Sequence, residues 1–151
     1  MSYLVDTNVL LRSVQKTHPM QLDSSRSFDL LIHRGEVVSV IPQNLIEFWA
    51  VATRPTLNNG LGMSVDEAVQ HIAAFKTVFE LLPDTDSIFK EWEQLVVRHQ
   101  VLGKQVYDAR LVAAMSVHNL TSLLSFNDRD FKRFTEIIVV NPHNLIDESE
   151  T

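Results

Sequence analysis

The chain has 151 residues, 45% apolar and 21% charged, which is the length of one ordinary domain and the composition of a globular one. It contains no cysteine, and that excludes disulfides, thiolate zinc sites, iron–sulfur clusters and a cysteine nucleophile. Thirteen Lys and Arg against nineteen Asp and Glu give a net charge of −6, which excludes a uniformly basic nucleic-acid coat but not a local basic groove.

The start, Met1-Ser2-Tyr3-Leu4-Val5-Asp6, has no basic segment ahead of an apolar run. No stretch approaches the ~20 apolar residues of a spanning helix. A cytoplasmic protein that begins at its first methionine, with no membrane segment, is therefore expected. Leu4-Val5, ended by Asp6, reads as a short buried strand, and Val9 to Leu11 as a helical turn. A loop follows to Pro19, then a helix from Leu22 to Arg34, stopped by Gly35. Val37 to Ile41 is β-branched and apolar on both faces, as a central parallel strand is. Pro42 suits the first turn of the next helix, which runs to about Arg54.

Asn58 to Gly62 reads as a loop. Ser64 and Glu67 have capping-box spacing and open a helix to about Val78. Leu81-Leu82 suits a short strand, and a helix spans about Asp86 to Gln100. The last third repeats the alternation: helix from Tyr107 to Val117, strand from Thr121 to Ser125, helical turn from Asn127 to Phe134, strand from Ile137 to Val140. Residues 143–151 are polar and read as a frayed tail behind a single domain over 1–142. Strands alternating with helices predict a three-layer α/β/α fold around a mostly parallel sheet of four to five strands.

In such a fold every crossover helix begins near the carboxyl edge of the sheet, where ligands bind. Asp6, Glu47, Asp108 and Asp130 then project toward one edge. Glu47 is the only charge from Pro42 to Thr53. A helix apolar on nearly every face is buried, and a buried carboxylate needs a hydrogen-bond partner or a cation. Glu47 could instead pair with a buried arginine, or the 42–53 helix could be less buried than its sequence suggests. Asp6, Asp108 and Asp130 could each simply favour a helix N-terminus. Taken together with Glu47, that reading leaves their common edge as coincidence. Clustered carboxylates repel and some should hold their protons more tightly; a hard divalent ion such as Mg²⁺ or Mn²⁺ relieves the repulsion through oxygen ligands.

Asn8, two residues after the first acid, and Ser125, at the end of a strand, could orient a carboxylate. The six histidines form no HxH or HExxH pattern, and no GxSxG, GxxxxGK[ST] or GxGxxG motif occurs, so hydrolase-elbow, P-loop and dinucleotide signatures are missing. A haloacid-dehalogenase-like phosphatase would want an acid where Asn8 stands. A receiver domain would want acids ahead of Asp6.

Four segments, Leu4-Val5-Asp6-Thr7-Asn8-Val9-Leu10, Ile46-Glu47-Phe48, Tyr107 to Ala113 and Leu123 to Phe131, come in an order that resembles PIN-domain ribonucleases, most of all VapC-type toxins of bacterial toxin–antitoxin pairs. The resemblance implies a PIN-like nuclease domain in which the acids hold Mg²⁺ or Mn²⁺ and cut RNA. It also implies frequent homodimers and a small antitoxin protein whose tail blocks the site. In that frame Asp6 and Asp108 hold the metal. Glu47 and Asp130 complete the shell or accept the proton of the water, and Asn8, Ser125 and Asn127 orient. The family often has His where Tyr107 stands and Thr where Ser125 stands. The last motif offers both Asp128 and Asp130, and Asp130, followed by Phe131, aligns better. The implied products carry 5′-phosphate and 3′-hydroxyl ends. Arg54, Arg110, Arg129, Lys132 and Arg133 lie close in sequence to the acids and could hold phosphates, or could simply face solvent. An alternative is a PIN-like module that binds RNA or protein without cutting. Setting aside four site acids moves the charge from −6 to −2, and one divalent ion brings it to 0.

Overall fold

The computed structural model describes residues 1–150. Five strands, β1 (Ser2–Val5), β2 (Val37–Val40), β3 (Glu80–Leu81), β4 (Ser122–Leu124) and β5 (Ile138–Val140), pair in the order β3-β2-β1-β4-β5, every pair parallel. Eight α-helices accompany them among the described residues: α1 (Thr7–Val14), α2 (Gln21–His33), α3 (Pro42–Thr53), α4 (Val65–Val78), α5 (Asp86–Arg98), α6 (Gln105–Val117), α7 (Asp128–Phe131) and α8 (Pro142–Glu150). The chain builds outward from β1 to β3, then returns to place β4 on the other side of β1. That reversal opens a crevice beyond the carboxyl ends of β1 and β4, the place where open α/β sheets bind ligands.

The two-residue period of a strand splits the sheet's side chains between two cores. Tyr3, Val5, Val38, Val40 and Leu124 face Val9, Leu10, Phe28, Leu31, Phe48 and Phe75. Leu4 and Leu123, side by side in register, face Ile88, Leu95, Leu111, Met115 and Phe131. Helices α1 to α4 and α8 thus cover one face, and α5 to α7 the other, as the three-layer expectation requires. Ser64 and Glu67 form their reciprocal cap at the start of α4.

Four expectations are corrected. The turn at Val9 to Leu11 extends to the two turns of α1, because Asp6 caps it. The turn at 127–134 contracts to the four residues of α7. Of the tail expected to fray at 143–151, residues 143–150 are helical and Thr151 lies outside the described residues: Pro142 opens α8, which packs on α2 and buries Leu145 and Ile146. Its polar residues lie outward, and proline at the first helical position starts the helix. Finally, α3 is not buried on every face. Phe48 and Ala52 point inward, but Ile46 is 66% exposed and Glu47 is half-buried, since α3 lies at the surface with α4 packed against one side. No described helix is long and apolar enough to cross a membrane.

Candidate active site: an acidic cleft at the carboxyl edge of the sheet

Asp6 is the residue at which β1 stops and α1 starts. Its backbone N–H still donates to Leu124 on β4 at 2.9 Å, so the pairing of β1 with β4 fixes its position. Its side chain caps α1 by accepting from the Thr7 N–H at 2.8 Å. On the other oxygen it accepts from Ser125 Oγ at 2.7 Å and Asn8 Nδ2 at 3.3 Å. Ser125 follows β4 directly, and its hydroxyl also accepts from the Asn127 N–H at 2.9 Å. Asn8 accepts in turn from the Phe126 N–H at 3.3 Å. Asn8, Ser125 and, through its main chain, Asn127 thus form one polar cradle beneath Asp6.

Asp108 lies in the first turn of α6, and its carboxylate has no hydrogen-bond partner among the described residues. Glu47 sits one turn after Gln43 on α3. Gln43 Nε2 donates to Glu47 at 2.6 Å and to the Tyr107 carbonyl at 2.9 Å, and its oxygen accepts from Arg110 at 2.9 Å. Thr7 Oγ1 donates to the other Glu47 oxygen at 3.3 Å. Gln43 and Thr7 therefore tie α3 to α6 and α1. Asn44 contributes as well, its oxygen accepting from the Ile41 N–H at 2.9 Å, which fixes the entry to α3.

Asp6, Glu47 and Asp108 line one cavity of about 360 Å³ with Thr7, Asn8, Arg54 and Asn127. Asp130, on α7, is exposed and lies outside that lining, but its charge acts on Asp6 and Asp108. Asp128 instead accepts from Asn141 at 3.0 Å, turned toward α8. Burial first, then the charges of Glu47 and Asp130, push the Asp6 carboxyl up to about 6 against the hydrogen bonds of Ser125 and Thr7. Burial first, then Asp6, Asp130 and Glu47, push Asp108 up to about 7. The repulsion expected of clustered acids is therefore present.

None of the four acids pairs with a lysine or arginine among the described residues. Of the five cations singled out in the sequence, only Arg54 lines the cavity. Its place is set by a tight loop: a Cβ on Gly60 would lie 2.0 Å from the Arg54 carbonyl oxygen, and Gly62 donates to that oxygen at 2.9 Å. Arg110 is occupied by Gln43 and, at 3.3 Å, by Asp84. Arg129 and Lys132 line a separate cavity beside β5, and Arg133 donates to the His99 carbonyl at 3.4 Å.

The donor set is all oxygen, buried or half-buried at its centre and without a basic partner, which fits a hard divalent ion. Among the described residues no group of three or more acidic or histidine side chains is disposed to hold an ion between them. An ion would take few carboxylates directly and keep water for the rest, as Mg²⁺ does. Gln43, Asn44 and the Thr7–Glu47 link were not anticipated. The i, i+4 spacing of Gln43 and Glu47 on one helix face was the available signal.

This crevice on a β3-β2-β1-β4-β5 parallel sheet defines an acidic-site α/β protein, and a match to the PIN domain over residues 3–137 places it: the chain belongs to the PIN-domain family. Over 136 residues it is 28% identical to ribonuclease VapC13 of Mycobacterium tuberculosis and to a VapC ribonuclease of Mycobacterium bovis, covering 89% of this chain and 95% of each relative. Its fold is similar to VapBC2 from Rickettsia felis, solved with a promoter DNA fragment (TM-score 0.72, 16% identity, 93% of this chain and 98% of that one). It is also similar to M. tuberculosis VapC20, a sarcin–ricin-loop-cleaving toxin (TM-score 0.64, 19% identity, 87% and 95%).

Proposed function

We propose that this protein is a divalent-metal-dependent endoribonuclease, cytoplasmic, and the toxin of a VapBC-type pair held in check by a small antitoxin. The observation that carries the reading is the meeting, in one cavity, of Asp6 from the end of β1 and Asp108 from the start of α6, neither neutralised by a base. Asp6 and Asp108 would hold Mg²⁺ or Mn²⁺, with Glu47 and Asp130 reached through water the ion keeps. When bound, the ion supplies Lewis acidity toward a phosphoryl oxygen and lowers the proton affinity of a water.

The rest of the chemistry belongs to the chain. The Ser125 and Asn8 donors fix the Asp6 carboxylate in one orientation, as such supporting hydrogen bonds do in metal sites. Thr7 and Gln43 hold both Glu47 oxygens. Glu47 or Asp130 accepts the proton of the attacking water. Water adds to phosphorus as the bond to the 3′-oxygen breaks, and that oxygen takes a proton from solvent water as it leaves, so the ends are 5′-phosphate and 3′-hydroxyl. Arg54 at the rim holds a neighbouring phosphate without reading sequence.

The test is incubation of the purified protein with total cellular RNA and Mg²⁺ or Mn²⁺, followed by mapping of the ends. Cuts that leave 5′-phosphates, need the metal and vanish in Asp6→Asn are expected. Cleavage that survives Asp6→Asn overturns the assignment.

A further inference from the structure

A second recess lies beside the acidic cleft. It has a volume of about 210 Å³ and is lined by Phe89 and Trp92 of α5 and by Val106, Tyr107 and Arg110 of α6. Although Arg110 contributes to it, the exposed lining is almost wholly apolar. Phe89 and Tyr107 are 61% and 62% exposed, an unusual placement for aromatic rings that have a core available. Trp92 is the fixed member: it is half-buried against the core and its indole N–H donates to the Val106 carbonyl at 2.8 Å. Phe89 stacks near it, with centroids 5.6 Å apart and planes 28° apart. Two near-parallel rings and a phenol thus frame a slot whose polar needs are already met.

The slot is linked to the cleft through α6 and Gln43. Tyr107 immediately precedes Asp108, and its carbonyl accepts from Gln43, which holds Glu47. Arg110, on the rim of the slot, donates to the same Gln43. The first turns of α6 therefore border both sites, although no residue lines both. The volume lies below the roughly 300–1,000 Å³ of pockets for drug-sized ligands and suits one planar ring. Arg110, which also lines it, is already engaged by Gln43 and Asp84, so the slot offers stacking rather than charge.

We propose that the Phe89–Trp92–Tyr107 slot is a nucleobase subsite, taking an unstacked base of single-stranded RNA next to the phosphate held at the acidic cleft. The proposal rests on the ribonuclease reading given above. Stacking on aromatic faces tolerates every base, so the slot supplies affinity and register rather than sequence choice. It also selects single strands, whose bases can be splayed out, over duplex.

The test uses steady-state cleavage of a short single-stranded RNA by the wild type, Phe89→Ala, Tyr107→Ala and Tyr107→Phe. It is paired with Trp92 emission in a Trp49→Phe, Asp6→Asn protein titrated with the same RNA and with an abasic version. A rise in KM of about 5- to 150-fold in the two alanine variants, the loss of one stacked base, with kcat nearly unchanged, is expected. Tyr107→Phe should keep the wild-type KM, and emission should quench with the RNA but not with the abasic strand. Both alanine positions are exposed, and circular dichroism verifies their folding. If the wild type cuts RNA while KM and emission are indifferent to these changes, the subsite is wrong and the nuclease reading stands. A wild type that neither cuts nor binds RNA removes both. If Phe89→Ala instead dissociates a dimer in sedimentation and leaves KM alone, a second copy of the chain covers the slot and the proposal fails.

Discussion

The two sides of the acidic cleft are built in opposite ways. On the β1–β4 side, Asp6 is buried and accepts from Thr7, Ser125 and Asn8, on a backbone fixed by the central pair of strands. On the α6 side, Asp108 is half-buried and unbonded among the described residues. One acid is set in place before any cation arrives. The other is held only by its helix and by the Gln43 tie between α3 and α6. Both keep their protons more tightly than a free aspartate, Asp6 to about 6 and Asp108 to about 7. The better-bonded acid is the less shifted, because hydrogen bonds to the charged form offset part of its burial.

The largest expected effect comes from removing either charge. Asp6→Asn and Asp108→Asn should each lower metal-dependent RNA cleavage by more than about 100-fold, beyond the 10- to 100-fold typical of the partners that merely support a ligand. An endpoint assay on one RNA substrate suffices to check it. Ser125→Ala comes next. It takes the 2.7 Å donor from a buried carboxylate, and a loss of about 10- to 100-fold in apparent Mn²⁺ affinity is expected. Ser125→Thr keeps the hydroxyl and should retain most activity. Equal losses in both variants would mean that packing, not the donor, matters.

The third prediction concerns pH. A carboxyl whose folded-state proton affinity is raised binds more protons folded than unfolded, so stability falls as pH rises from about 4 through the folded value and is flat above it. For Asp6 that loss is on the order of 2–3 kcal/mol, complete above about pH 7. For Asp108 the direction is the same, and the fall extends to about pH 8. In the absence of metal, Asp108→Asn should therefore melt higher than the wild type at pH 8, and nearly equal to it only at about pH 3.5, below both values. Thermal melts at the two pH values decide this. A wild type that is the more stable at pH 8 would show that these charges do not conflict. The smallest effect is expected of Arg54→Ala, a uniform weakening of RNA binding with a salt slope reduced by about 1.

How far the sequence could be read follows from the same contrast. Alternation of strand and helix, the Ser64–Glu67 cap and the four acids rest on local patterns, which residue types carry directly. The cradle of Asn8 and Ser125 was legible because each adjoins an acid or a strand end. The remainder depends on which faces of helices meet. Gln43 is a polar residue like any other until α6 brings Tyr107 and Arg110 against it. The inward face of α3 cannot be assigned from a segment apolar on every side, so Glu47 reads as buried when it is half-buried. Helix α8 escapes notice because Leu145 and Ile146 are its only large apolar residues, and their value lies in α2 beneath them. The pairing of Asp128 with Asn141, which turns it away from Asp6, is likewise a tertiary fact.

The most direct test of a shared cation is a Mn²⁺ titration of melting temperature at pH 8 for the wild type, Asp6→Asn and Asp108→Asn. A ligand bound only by the folded state raises stability with the logarithm of its concentration. The wild type should rise with Mn²⁺, while both variants, although folded, should not. A flat wild-type response, or an equal rise in all three proteins, would contradict a common site for these acids.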